Sequence, residues 1–237
     1  GVFLQTLLEV PGIPALDVRN QCSGFLFGLS VARSWVESGA YKRVLVVGAE
    51  IHSTGLDISP EGKVVSGLFG DGAGAVIVEA AREPGILDIR LGSDGRGAHA
   101  LWSELPSSSL HPAFDSSYLA EGRQFPKMQG RTVFRKAVET LDRELKALLA
   151  AHELTGQDVL YVPHQSNTHI CTMVASRVGI PEENIVSTIA THGNITAASI
   201  PCALDVAMKA GRVTRGTTVL MAAFGSGYTW GSTLVKF

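Results

Sequence analysis

The chain has 237 residues, 45% hydrophobic and 18% charged, with a formal net charge of −2. That length supports a substantial core, as one large domain or two smaller ones, and the near-neutral balance excludes a basic nucleic-acid-binding surface or an acidic tail. Three cysteines without regular spacing argue against a disulfide framework and for a reducing cytoplasm, and no apolar run reaches the about 18 residues of a membrane span.

The opening residues 1–8 lack the basic start of a signal peptide and read as the end of a helix closed by Pro11-Gly12-Ile13-Pro14. Residues 15–18 read as a strand, Arg19-Asn20-Gln21 as a turn, and Cys22 opens a long apolar helix through Phe25, Leu26, Leu29, Ala32 and Val36. A thiol at a helix N-terminus meets free backbone N–H groups that favour thiolate, although most free cysteines are small buried hydrophobes. Cys171 and Cys202 fall inside apolar helices and read as core, so Cys22 is expected to be the thiol that alkylates first. A second strand spans 44–48, and strand–helix–strand in this order predicts a parallel right-handed unit.

Phe69-Gly70-Asp71-Gly72-Ala73-Gly74 leads into a strand at 75–78. It superficially resembles a dinucleotide fingerprint, but it precedes a strand instead of opening a helix, which excludes that reading. Another strand spans 86–91. The long Ser/Pro/Gly-rich stretch 92–130, with Trp102, Phe114, Tyr118 and Phe125, reads as a lid or the wall of an apolar pocket. An amphipathic helix at 132–152 places Val133, Ala137, Val138, Leu141, Leu145 and Leu148 at helical spacing, with Arg131 and Arg135 on a solvated face. The strand 159–162 carries His164 past its carboxyl end, where open α/β sheets hold their ligands. A helix at 168–178, a strand at 185–188, a turn with Asn194, a helix at 196–210, a strand at 217–221, a glycine turn at 225–227 and a strand at 230–236 complete the chain.

The order of elements repeats. In the first copy a strand, the Cys22 turn, a helix, a strand, a glycine hairpin at 70–74 and a strand follow one another from 15 to 78. The second copy runs from 185 to 236 with Asn194 in the place of Cys22. Two copies about a pseudo-twofold axis would bring the helix starts together, with His164 entering from a neighbouring strand end. The coincidental alternative is three unrelated polar residues at loop ends. The second copy has further elements ahead of it that the first does not, and a βαβ unit needs about 30 residues or more. A sizeable N-terminal portion is therefore expected to lie outside these residues.

Gln21-Cys22-Ser23-Gly24-Phe25, Phe69-Gly70-Asp71-Gly72-Ala73-Gly74-Ala75, Val162-Pro163-His164-Gln165-Ser166-Asn167, His192-Gly193-Asn194-Ile195-Thr196-Ala197-Ala198-Ser199 and Ala223-Phe224-Gly225-Ser226-Gly227-Tyr228-Thr229-Trp230-Gly231 together resemble the thiolase-fold condensing enzymes. Within them the match is to the β-ketoacyl-acyl-carrier-protein synthase III family, lacking its N-terminal portion. The resemblance implies an α/β thiolase-like fold, with two pseudo-twofold-related βαβαβ-type halves in α-β-α-β-α layers and the first half incomplete. Residues 1–83 would be the C-terminal part of the first half, carrying the nucleophile. Residues 84–237 would be the second half, carrying His and Asn.

The resemblance further implies an acyltransferase that condenses an acyl thioester with a malonyl thioester by decarboxylation, through an acyl-cysteine. Cys22 would be the nucleophile, His164 and Asn194 would stabilise the enolate, and the N–H groups of Cys22 and Ser226 would form the oxyanion hole. Gly225, Asn167 and Phe224 would bind substrate, and Arg131, Arg135 and Arg177 would dock a carrier protein. Coenzyme A or phosphopantetheine thioesters would be substrates, with no metal and no other cofactor. The partners would be acyl-CoA or acyl-carrier protein and malonyl-carrier protein, and the chain would form a cytoplasmic homodimer. Glu61 and His169 stand where family members carry basic residues for the cofactor or carrier, which leaves the acyl donor open. A non-decarboxylating condensation, a papain-like thiol hydrolase and a catalytically incomplete partner subunit are the competing readings.

Overall fold

The computed structural model describes residues 1–237 apart from Pro84 and Phe114, so the place of Phe114 in the 92–130 stretch lies outside the described residues. The strands are β1 (Arg43–Glu50), β2 (Gly72–Glu79), β3 (Ile86–Ser93), β4 (Leu101–Trp102), β5 (Lys127–Met128), β6 (Leu160–Pro163), β7 (Thr218–Gly225) and β8 (Thr229–Lys236). The helices are α1 (Val2–Leu7), α2 (Gly24–Glu37), α3 (Lys63–Ser66), α4 (Ser116–Ala120), α5 (Gly130–Ala151), α6 (Thr168–Val178), α7 (Ile189–His192) and α8 (Ser199–Lys209).

A four-stranded sheet in the order β3-β8-β7-β6 is the centre, with β7 parallel to β6 and antiparallel to β8. Every residue of β7 is buried, as a strand covered on both faces must be, and its alternation divides the core in two. Leu220, Ala222 and Phe224 meet α5 and α6 through Leu141, Leu145, Leu148 and Val174. Val219, Met221 and Ala223 meet α2 and α8 through Phe25, Leu26, Leu29, Ile200 and Leu204. Beyond α2 and α8 lies the antiparallel ribbon of β1 and β2, so the described residues form four successive layers. The ribbon touches the helices closely because its glycines are small. A Cβ on Gly48 would lie 2.7 Å from the Ala197 carbonyl carbon, and one on Gly74 2.9 Å from Pro201 Cγ. The ribbon's other face leaves Leu45, Val47 and Ile77 exposed.

Three sequence expectations fail here. Residues 15–18 pair with no strand among the described residues, and Leu16 and Val18 are exposed. Among the described residues the parallel unit they were expected to start does not form, and β1 pairs with β2 alone, antiparallel. Residues 185–188 make a single parallel bridge, Ile185 to Tyr161, instead of a strand. The glycines 72–74 lie inside β2 and not in a hairpin ahead of it. The 92–130 stretch is organised as β4, α4 and β5, and Arg123 ties it together by bonding Glu104 and stacking over Tyr118 at 4.2 Å.

Candidate active site

Cys22 sits in a 3-10 turn, Gln21–Ser23, that feeds directly into α2. The turn is wedged against the end of β7: a Cβ on Gly225 would lie 2.7 Å from the Cys22 sulfur, so only glycine fits there. Two backbone N–H groups point at that sulfur, those of Ser226 and of Cys22 itself. The thiol is nonetheless 6% exposed. Burial pushes its pKa up to about 12, the Ser226 N–H pulls the other way, and the nearby charge of Glu50 adds to the rise.

The expected thiolate is thus corrected. The fixed N–H groups do face the sulfur, but lost hydration outweighs them and Cys22 rests as a neutral thiol. Cys171 is buried as expected, its Sγ 3.5 Å from the His164 carbonyl. Cys202 is half-buried beside the ribbon, its Sγ 3.2 Å from the Ala73 carbonyl, and not core. Cys22 and Cys171 are buried, and Cys202 is the most exposed of the three thiols.

His164 follows β6, its N–H donating to the Ala222 carbonyl at 2.7 Å. The ring is 3% exposed, and burial drives its pKa down to about 4. Nδ1 lies 2.6 Å from Ser199 Oγ, whose single proton either goes to the Thr196 carbonyl at 2.8 Å, with Nδ1–H then donating to the hydroxyl, or goes to Nδ1, with the ring proton then on Nε2. Nε2 is buried without a partner. Asn194 is pinned by its backbone to the segment ahead of β2, accepting from Gly70 N–H at 3.1 Å and donating to the Leu68 carbonyl at 2.8 Å. Its Oδ1 accepts from Thr196 N–H at 3.0 Å, which leaves the Nδ2 hydrogens as its unused donors. Thr196 and Ser199 thereby join His164 to Asn194, and the Cys22 turn packs on the 3-10 turn Thr196–Ala198 that follows Asn194. Glu50, at the end of β1, accepts from Ala197 N–H at 3.3 Å and so borders the same site.

Phe224 lies on the α5 side of β7, where it lines a narrow cavity with His164 and Cys171. Asn167 accepts from His169 N–H at 2.8 Å and caps α6, a structural task that leaves its amide hydrogens available. Arg131 and Arg135 are exposed one turn apart at the start of α5. Arg177 reaches Asp142 at 3.9 Å, seven residues beyond Arg135 and so about 10 Å further along the helix. A cavity of about 370 Å³ between Asp94, Arg96, Lys136 and Tyr228 touches none of Cys22, His164 and Asn194. Among the described residues no cluster of His, Cys, Asp or Glu could hold a metal, and no helix is long and apolar enough to cross a membrane.

Sequence reasoning gave no role to Ser199, Glu50, Ser23 or Thr229. Ser199, Ser23 and Thr229 stand inside the motifs, but a hydroxyl carries no periodic signal that marks it.

Residues 16–95 match the model described as 3-oxoacyl-[acyl-carrier-protein (ACP)] synthase III, and residues 149–237 match its C-terminal counterpart. The β-ketoacyl-[acyl-carrier-protein] synthase III of Salmonella arizonae is 41% identical over 235 residues, 99% of this chain and 71% of the relative. That of Thiobacillus denitrificans is 43% identical over 227 residues, 95% and 68%. The crystal structure of 3-oxoacyl-[acyl-carrier-protein] synthase III from Aquifex aeolicus VF5 superposes with a TM-score of 0.89 at 34% identity, covering 100% of this chain and 71% of that one. The priming β-ketosynthase of the R1128 polyketide pathway gives 0.89 at 34%, covering 100% and 69%.

Proposed function

The chain belongs to the 3-oxoacyl-[acyl-carrier-protein] synthase III family, and from that membership we propose that Cys22, His164 and Asn194 carry its reaction. The protein is an acyltransferase of the thiolase fold. It condenses an acyl thioester with a malonyl thioester by decarboxylation, giving a β-ketoacyl product of fatty acid or polyketide-type synthesis. In the first half-reaction the Cys22 sulfur attacks the acyl carbonyl and the carbon–sulfur bond of the donor breaks. The thiol proton leaves with the departing thiol, so no separate base is consumed. The N–H groups of Cys22 and Ser226 hold the oxyanion, with Gly225 leaving room for it. In the second half-reaction the malonyl carbon–carbon bond breaks and carbon dioxide leaves. The resulting enolate oxygen takes hydrogen bonds from His164 Nε2–H and Asn194 Nδ2–H. Its carbon then attacks the acyl group, and the Cys22 sulfur departs and regains a proton from solvent.

The observation that carries this assignment is the buried, unpartnered Nε2 of a neutral His164, which is a donor in the tautomer whose Nδ1 accepts from the Ser199 hydroxyl. A dry fixed donor of this kind is strongest where charge develops in the transition state. His164→Ala and Asn194→Ala are expected to slow malonyl decarboxylation by on the order of 10²–10³ while acyl-Cys22 still forms by mass spectrometry. Cys22→Ala is expected to form none. An unacylated His164→Ala protein, under conditions that acylate wild type, would overturn the assignment and favour a thiol hydrolase, where the imidazole must first activate the thiol.

The same reading assigns residues 1–83 to the half that carries the nucleophile and 84–237 to the half that carries His164 and Asn194. Phe224 and Asn167 bound the acyl and pantetheine ends of the site. Arg131, Arg135 and Arg177 dock an acidic carrier. The substrates are acyl-CoA or acyl-carrier protein and malonyl-carrier protein. The three free cysteines suit a reducing cytoplasm, and the enzyme works as a homodimer.

A further inference from the structure

Ser226 offers its N–H to the Cys22 sulfur from a three-residue turn between β7 and β8, and such a turn can swing unless something holds it. Its last residue, Tyr228, exchanges two backbone hydrogen bonds with Asp94 at 2.9 Å, and two hydroxyls hold the Ser226 end on the Cys22 side. Ser23 Oγ, on the residue after the nucleophile and fully buried, donates to Thr229 Oγ1 at 2.8 Å across 206 residues of sequence. Thr229 Oγ1 in turn donates to the Ser226 carbonyl at 2.9 Å. Ser23 Oγ also has the Asn20 carbonyl within 3.3 Å, but the Thr229 hydroxyl at 2.8 Å is the nearer acceptor for its one proton, and the relay then ends on the peptide neighbouring the N–H that faces Cys22. On the turn's other side Ser226 Oγ donates to the Leu101 carbonyl at 2.6 Å, so the turn is gripped from two directions.

We propose that Ser23 and Thr229 form a hydroxyl latch that holds the Ser226 N–H on Cys22 and so sets the rate of acyl transfer to the sulfur. The proposal rests on the acyl-cysteine reading above. Thr229 makes both hydrogen bonds and Ser23 only the outer one, so the two side chains are unequal. Both are positioning residues, since neither touches the reacting atoms. The latch serves the oxyanion of the acyl half-reaction and not the enolate, whose donors are held separately through Thr196 and Ser199.

The test uses the full-length enzyme and measures two rates. One is acyl-Cys22 formation from acetyl-CoA, by quenched mass spectrometry. The other is malonyl-thioester decarboxylation by unacylated enzyme. Losing a whole oxyanion donor costs on the order of 10²–10³, and a loosened donor keeps part of that. Thr229→Val is expected to slow acylation about tenfold and Ser23→Ala about threefold, with decarboxylation unchanged in both. Thr229→Ser keeps the relay and is expected to acylate within about twofold of wild type. The Ser23→Ala/Thr229→Val double variant is expected to match Thr229→Val, because the outer bond is already gone. Wild-type acylation in Thr229→Val overturns the latch. So does equal slowing of both rates with a lowered Tm, or a Thr229→Ser variant as slow as Thr229→Val. If Thr229→Val does not fold, the smaller change Ser23→Ala decides alone on the same two rates. A wild-type enzyme that never acylates Cys22 would instead overturn the acyl-cysteine reading itself.

Discussion

His164 shows how burial sets chemistry at a single residue. A histidine ordinarily titrates near 6.5, and its burial here lowers that to about 4. It is therefore neutral throughout the physiological range and can offer a hydrogen bond without carrying charge. The folded value lies below the unfolded one, so between about 4 and 6.5 the unfolded chain binds the extra proton. Stability from this group is fully present above 6.5 and is lost as pH falls toward 4, on the order of 3 kcal/mol in total. His164→Gln removes the titration. The expected outcome is that the fall in Tm from pH 7 to pH 4.5 is smaller in His164→Gln than in wild type, read by calorimetry. An identical fall in both proteins would mean that other groups govern the acid limb. Cys22 follows the same rule with opposite sign of charge. Its motif and its place before a helix were legible in the sequence, but its protonation was not. A linear pattern shows which N–H groups come near the sulfur, not how completely the site excludes water.

At the scale of elements, glycines decide how closely the ribbon meets the catalytic turn. β1 crosses the 3-10 turn after Asn194 with Gly48 against Ala197, where an added Cβ would meet backbone at 2.7 Å. Backbone cannot move aside as a flexible side chain can, so the strand or the turn must shift. Gly48→Ala is expected to destabilise the fold by about 1–3 kcal/mol and, by tilting Asn194, to slow malonyl decarboxylation more than acylation of Cys22. Equal effects on the two half-reactions would show that the contact is only structural. The strongly periodic elements were readable in advance: α5 by its apolar stripe, β7 by its unbroken apolar run, and β8 by its place after the glycine turn. The short runs 15–18 and 185–188 were not. Each has strand-like composition, but a strand exists only where a neighbour offers its hydrogen bonds, and tertiary packing assigns the neighbours. Ser199 and Glu50 escaped notice for a related reason. Each acts through a partner distant in sequence, Ser199 on His164 and Glu50 on the Ala197 N–H 147 residues away.

For the whole molecule, the question is what meets the ribbon's outer face. The pairings Leu45 with Ile77 and Val47 with Ala75 set two apolar rows side by side, closed at one end by the Arg43–Glu79 ion pair at 2.9 Å. Ile77 is 65% exposed and Leu45 45%. β1 and β2 each have one strand neighbour among the described residues, so each also presents an unpaired edge. A contiguous apolar face bordered by strand edges is where further protein packs, and the relatives, of which this chain spans 68–71%, have further chain that could supply it as well as a second subunit. The proposed homodimer would use one such surface twice about a twofold axis. Light scattering of the full-length enzyme at micromolar concentration is expected to give twice the mass of one chain, unchanged on dilution across that range. A mass of one chain at every concentration would overturn the dimer. A mass that climbs steadily with concentration would show that the strand edges associate openly, without a closed twofold interface.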